Sequence, residues 1–321
     1  MVSSGQALRG VKAVVFGGCG FLGSNVAAAL VRGGADTYVF DVVGCQDSLG
    51  KDVTFIKGDA LDAEAVGKSL AGARRVFAFA GAGGAPGSLR DPLGDLAVNC
   101  KAQLVLLEAV RQVCPDATVV FPGSRLEYGR PVRLPVDESH PLAGSTPYAI
   151  NKSACAAYYR IYAEVHGLHT VVLRLSNPYG PHPLQESYKG FGILNHFIDQ
   201  TLLGRGIQLF GDGSQLRDFV YIDDAVEAII EASGHPELAG AVINVGAGEG
   251  VSLARVAEQV VELAGQGSVE SAPWPADLSA IETGDFYFDV TLAKDLLGWR
   301  PKTTLRKGLE LTLLARKNQR H

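Results

Sequence analysis

The 321-residue sequence contains no apolar run of 18 residues, the length needed to cross a bilayer. Its opening, MVSSGQALRG, lacks the features of a secretory signal, so a soluble protein of the cytoplasm without a membrane partner is expected. Positive charge is not in surplus either, since 29 Lys and Arg against 34 Asp and Glu leave a net charge of -5. That balance argues against nucleic acid as a partner, because neutralising a phosphate backbone takes clustered cations. It leaves open a small phosphorylated ligand, which one or two arginines can hold. Cysteine is sparse: Cys19, Cys45, Cys100, Cys114 and Cys155 are odd in number and form no Cys-x-x-Cys pair. Neither a disulfide framework nor a metal site is indicated, and a reducing compartment fits. Glycine is the exception to this scarcity, with 39 residues where average usage of about 7% would give about 22. Without a repeat or low-complexity run, that surplus points to tight turns and close backbone approaches.

At roughly 150 residues per domain the length predicts about two structural units. Short apolar runs at 12–16, 36–41, 53–57, 75–80, 117–122 and 170–175 read as strands, with helices at 21–33, 62–71, 93–113 and 146–166 between them. Continuous apolar strands alternating with helices predict a parallel sheet covered on both faces. After Pro178 the texture changes to a Pro- and Gly-rich loop over 178–192, then helices at 193–204 and 223–233 and a strand at 242–245. The predicted fold class is therefore α/β: a Rossmann-type doubly wound sheet over 1–177 with a smaller substrate-binding cap over 178–321. The two are interleaved, with 213–250 returning to the first unit.

The first strand runs into Gly17-Gly18-Cys19-Gly20-Phe21-Leu22-Gly23, and a helix follows. Glycines at 17, 20 and 23 permit a tight turn, close approach of a pyrophosphate to backbone N–H groups, and close helix–sheet packing. Asp41 ends the next strand, placed to hydrogen-bond the ribose 2′-hydroxyl of NAD. No Arg follows it closely to take the 2′-phosphate of NADP. The plain alternative for Asp41 is a strand-end turn former.

This glycine spacing resembles the short-chain dehydrogenase/reductase superfamily. The resemblance implies that Phe21 and Leu22 belong to the cofactor loop and that Asp59 and Ala60, in Lys57-Gly58-Asp59-Ala60, form the adenine-contacting turn. It further implies that Ala80, Gly81 and the helix residue Asn99 pass the cofactor. Tyr148-Ala149-Ile150-Asn151-Lys152 is a Tyr-x-x-x-Lys pair on one helix face, with Thr146 and Pro147 suited to start the helix. An ammonium and an oxidised nicotinamide nearby would favour the phenolate of Tyr148, making it a base for a sugar hydroxyl. In the extended branch of the superfamily, the position of Ser124 is that of a catalytic hydroxyl, which hydrogen-bonds the reacting oxygen.

Arg174-Leu-Ser-Asn177-Pro-Tyr179-Gly180-Pro181 and Phe210-Gly-Asp-Gly213-Ser-Gln-Leu-Arg217-Asp218-Phe219 resemble segments of the NDP-sugar epimerase and dehydratase family. The resemblance makes Asn177 and Arg217 contacts of the substrate diphosphate, with Phe210 and Lys189 further substrate-side candidates. An ion pair with Asp218 or Asp223 is the structural alternative for Arg217. The sequence departs from the family after Ser124. Arg125 and Leu126 stand where 4,6-dehydratases carry an acid and a base, and Glu127 stands where simple 4-epimerases carry Val. A carboxylate there could remove the proton that a C4 ketone acidifies at C5. A salt bridge from Glu127 to Arg125 or Arg130 is the other reading. A second departure is the lack of an Arg around Ile281-Glu282-Thr283-Gly284-Asp285.

The resemblance implies an NAD-dependent enzyme of an NDP-sugar, and within the family it fits best the UDP-N-acetylglucosamine 5,6-dehydratases of tunicamycin, hence nucleoside-antibiotic, biosynthesis. A UDP-hexose 4-epimerase is the alternative, and a non-catalytic NDP-sugar-binding regulator a weaker one. A homodimer through helices 93–113 and 146–166 is expected from the same resemblance.

Overall fold

The computed structural model describes residues 8–45, 50–81, 84–182 and 192–318. Seven strands form one sheet: β1 (Lys12–Phe16), β2 (Asp36–Asp41), β3 (Val53–Lys57), β4 (Arg75–Ala78), β5 (Thr118–Ser124), β6 (His169–Leu175) and β11 (Val242–Val245). Their order is β11-β6-β5-β4-β1-β2-β3, and every pairing is parallel. The order reverses between β1 and β4, and ligands of open parallel sheets bind beyond the carboxyl ends of strands at such a switch point.

The strands read as unbroken apolar runs because both faces are covered. Ala13, Val15, Val39, Phe77 and Val120 join one buried cluster, while Val14, Phe16, Phe40, Val76 and Phe121 join the other. Each of these valines and phenylalanines contributes roughly 1.5–3 kcal/mol on leaving water. The Phe21–Arg32 and Ile222–Ala232 helices pack together.

Among the described residues, three small two-stranded sheets stand beside it: β7 (Asn177–Tyr179) with β10 (Phe219–Tyr221), β9 (Leu216–Arg217) with β12 (Val251–Ser252), and β8 (Ile207–Phe210) with β13 (Val269–Ala272). The expected 93–113 helix is not continuous. Pro92–Leu96 is followed by a π-helical turn over Ala97–Lys101 and then by Ala102–Val113. The break has a tertiary cause: Asp95 accepts hydrogen bonds from Asn99 at 2.7 Å and from Asn151 at 2.7 Å. A wide turn of this kind marks functional segments more often than ordinary helix does.

Candidate active site

The glycine loop leads from β1 into the Phe21–Arg32 helix, whose cap residue Gly20 supplies no side-chain hydrogen bond. A glycine at this position puts no side chain in the way of an anion approaching the start of the helix. A Cβ at Gly23 would lie 2.2 Å from the Gly17 carbonyl oxygen, and one at Gly17 would lie 2.6 Å from the backbone of Phe79 and Ala80. At Gly20 the nearest atom would be 3.3 Å away, so two glycines serve packing while Gly20 leaves the open side. Phe21 is buried and Leu22 half-buried just inside the helix.

Asp41 reaches this loop, its carboxylate accepting from the Cys19 N–H at 2.9 Å and the Val43 N–H at 3.1 Å. At the end of the neighbouring β3, Asp59 accepts from Leu61 N–H at 2.9 Å, with Ala60 in the same turn. Gly81 approaches Asn99 so closely that a Cβ would lie 2.5 Å from the amide oxygen. Ala80 accepts through its carbonyl from Gln103 at 2.8 Å. The carboxyl ends of β1 to β4 thus form a cradle suited to a dinucleotide, with a backbone-lined pyrophosphate site and a carboxylate at the end of β2.

The structure corrects the expectation for cysteine. Cys19 and Cys45 are joined by a disulfide with Cα atoms 5.9 Å apart, inside the span a disulfide allows. The fold brings the glycine loop against the segment after Asp41, a proximity that a separation of 26 residues does not announce. Cys100, Cys114 and Cys155 are free and buried.

The proton-transfer groups stand on β5 and the Pro147–His166 helix. Thr146 caps that helix by accepting from Ala149 N–H at 3.3 Å, and Pro147 occupies its first turn. Lys152 lies one turn beyond Tyr148, with its Nζ 5.8 Å from the Tyr148 ring centroid and 4.5 Å from that of Phe121. It donates to the Pro122 carbonyl at 2.9 Å, tying the helix to the strand that ends in Ser124. Burial lowers the Lys152 pKa, so its ammonium gains from any anion formed beside it, such as a phenolate. The Ser124 hydroxyl oxygen accepts from Leu126 N–H at 3.2 Å and starts a short turn over Arg125–Tyr128.

Glu127 is fully buried and both its oxygens are engaged. One accepts from Ser124 N–H at 2.7 Å; the other accepts from Arg174 Nε at 2.8 Å. Arg174 also donates to the Tyr128 hydroxyl at 2.9 Å, which donates to Asn244 at 2.8 Å. The salt bridge is therefore to Arg174 rather than to Arg125 or Arg130. In this arrangement Glu127 holds the backbone of Ser124 and is not exposed toward a ligand.

Arg217 likewise pairs with a residue other than the two expected. It forms an ion pair with Glu282 and donates to the Gly284 and Leu216 carbonyls at 2.7 and 2.8 Å. Asp218 instead accepts from the N–H groups of Ala247, Gly248 and Phe288. Asn177 donates to the Asp218 carbonyl at 2.7 Å and accepts from Arg125 Nε at 3.1 Å. Phe210 lies against Trp274, ring centroids 5.4 Å apart. Lys189 lies outside the described residues. Arg125, Glu282 and Thr283 complete this cluster, and the two departures from the family pattern, at Arg125 and over 281–285, were their signals.

Residues 13–246 match the NAD dependent epimerase/dehydratase family. The UDP-glucose 4-epimerase of Mycolicibacterium smegmatis is 30% identical over 94% of this chain and 97% of its own. A crystal structure of UDP-glucose 4-epimerase with UDP-glucose, from Thermotoga maritima, superposes with a TM-score of 0.86 at 30% identity, covering 97% of this chain and all of that one (100%). The UDP-N-acetylglucosamine 4-epimerase of Methanobrevibacter ruminantium, in complex with UDP-N-acetylmuramic acid, gives 0.88 at 27% identity, covering 97% and 100%.

Proposed function

We propose that this chain, which belongs to the NAD dependent epimerase/dehydratase family, oxidises C4 of a UDP-sugar to a transient ketone and restores the hydrogen before product leaves. The observation that carries this reading is the Lys152 bond to Pro122, which places the Tyr148 helix turn against the strand ending in Ser124. NAD, held by the glycine loop and Asp41, supplies the acceptor for the C4 hydrogen and its later donor. Tyr148 takes the O4 proton on its phenolate oxygen, Lys152 favours that phenolate, and Ser124 donates to the reacting oxygen. Asn177, Arg217 and Phe210 hold the nucleotide end.

The ketone has two fates. The first reading is 5,6-dehydration of UDP-N-acetylglucosamine: H5 leaves, the 6-hydroxyl is expelled and hydrogen returns to C4. It is supported by Glu127 in the place where simple 4-epimerases carry Val, together with the loss at Arg125 and Leu126 of the acid and base that 4,6-dehydratases carry. The second reading is UDP-hexose 4-epimerisation, favoured by the engagement of both Glu127 oxygens and by the epimerases among the relatives. Under the first reading Glu127 positions Ser124 and another group takes H5.

Incubation with UDP-N-acetylglucosamine in D2O separates the two. A product lighter by one water, with exocyclic vinyl protons, establishes dehydration. An epimer of unchanged mass without deuterium at C5 rules it out, and turnover of neither kind with tight UDP-sugar binding returns the regulator reading.

A homodimer belongs to the same proposal. The 92–96 and 147–166 helices pack together and leave Leu93 77%, Ile150 54% and Val165 68% exposed, apolar side chains spread along the two helices that a second copy would cover.

A further inference from the structure

The anion end of the site holds two guanidinium groups and one carboxylate within a few residues of Thr283. Arg125 is partly buried, bonded through Nε to Asn177 and through Nη1 to Thr283 Oγ1 at 3.2 Å, and its guanidinium lies 5.4 Å from the Phe286 ring centroid. Among the described residues only these two side-chain oxygens accept from it, of the five N–H bonds a guanidinium offers. Burial first, and then the neighbouring Arg217, pull the Arg125 pKa down to about 9, so this charge gains from a counter-ion. The Arg217 side chain is 6% exposed and is paired with Glu282, which keeps 26% of its own surface in solvent. Glu282 also accepts from Gly284 N–H at 2.9 Å. It further lines a cavity of about 330 Å³ bounded by Arg130, Gln215 and Trp274 among others. The carboxylate thus stands between an open cavity and a buried guanidinium.

We propose that Glu282 is a displaceable counter-ion occupying the diphosphate's place on Arg217, and that Arg125 is the second cation recruited when a nucleoside diphosphate replaces it. This rests on the reading of the site as one for UDP-sugars. One carboxylate neutralises one of the two guanidinium groups, whereas a diphosphate carries enough charge for both. The exchange moves Glu282 toward the cavity and water, where its charge is cheaply hydrated. Recognition then depends on two linked phosphate groups, because a single phosphate takes only the place on Arg217 that Glu282 already fills, whatever its charge. Glu282 and Arg125 together would therefore set specificity for the diphosphate over a monophosphate.

Titration calorimetry of UDP and UMP into the wild-type, Glu282→Gln and Arg125→Gln proteins tests this. The exchange predicts that Glu282→Gln tightens UDP binding about tenfold and UMP binding by at least as much, and that Arg125→Gln weakens UDP about tenfold. One charge-assisted hydrogen bond is of that size. Weaker UDP binding in Glu282→Gln would make Glu282 a fixed support of Arg217 and overturn the proposal, as would unchanged UDP binding in Arg125→Gln. Should Glu282→Gln fail to fold, Glu282→Asp keeps the charge and shortens its reach. It should tighten UDP binding by a smaller factor, and unchanged or weaker binding overturns the proposal. A wild-type protein that binds no UDP would instead refute the UDP-sugar reading itself.

Discussion

The proton-transfer end and the anion-binding end of the site are built on different principles. Ser124, Tyr148 and Lys152 stand on one strand and one helix, and their partners are mostly backbone groups: Lys152 on the Pro122 carbonyl, Ser124 on the Leu126 N–H. Arg125, Asn177, Arg217 and Glu282 come from four separate segments and are held by side chains, Arg125 on the Asn177 amide and Arg217 on the Glu282 carboxylate. The first arrangement presents groups already placed for a reaction. The second is only partly neutralised, with Glu282 on Arg217 and no carboxylate on Arg125 among the described residues, and must exchange partners to take a ligand. A family pattern survives intact where geometry on regular elements matters, and it is rewritten where charges can be traded between loops.

The sharpest way to break the comparison is at the rigid end. Tyr148→Phe should lower kcat about a thousandfold while leaving UDP affinity within about twofold, since it removes one proton acceptor and no cation. A comparable loss of UDP binding would mean that the two ends are not separable. Glu127→Ala comes next, because it leaves the buried Arg174 guanidinium without its carboxylate. Denaturant unfolding should show a loss of about 3–5 kcal/mol. Stability unchanged together with abolished elimination would instead mark Glu127 as a base.

Two smaller effects sharpen the picture at the margins. Reducing the Cys19–Cys45 disulfide, or replacing Cys45 with Ser, releases a loop spanning 26 residues and should cost about 3 kcal/mol in thermal or denaturant unfolding. His182, buried with its ring 5.9 Å from that of Phe21, has its pKa lowered to about 4 by burial and then by Arg316. At pH below about 6.5 the unfolded chain takes up a proton that the folded chain refuses. The stabilisation is fully present above that pH and is lost as pH falls toward 4, at most about 3 kcal/mol. His182→Gln should flatten that part of the pH–stability curve, and an unchanged slope would contradict the burial account.

Much of this was legible in residue order. The bounds of β1, β2 and β3 coincide with apolar runs punctuated by Gly and Asp, because strands buried on both faces need no alternation to be seen. The glycine loop and the Tyr148–Lys152 pair were visible because each is local. The π-helical turn at Ala97–Lys101 was hidden, since apolar periodicity continues through it and the cause lies at Asn151, 56 residues from Asp95. The partners of Glu127 and Arg217 lay 47 and 65 residues away, while the nearer candidates Arg125, Arg130, Asp218 and Asp223 were the wrong ones. Charge pairing is set by where the fold brings segments together, and sequence proximity misleads about it.

The central claim, that hydrogen leaves C4 and returns to it within one turnover, is tested most directly with UDP-N-acetylglucosamine deuterated at C4. The product, whether epimer or alkene, should keep the deuterium at C4 by mass and NMR analysis with no stoichiometric build-up of reduced cofactor. Product carrying solvent hydrogen at C4, or equimolar NADH, would contradict it.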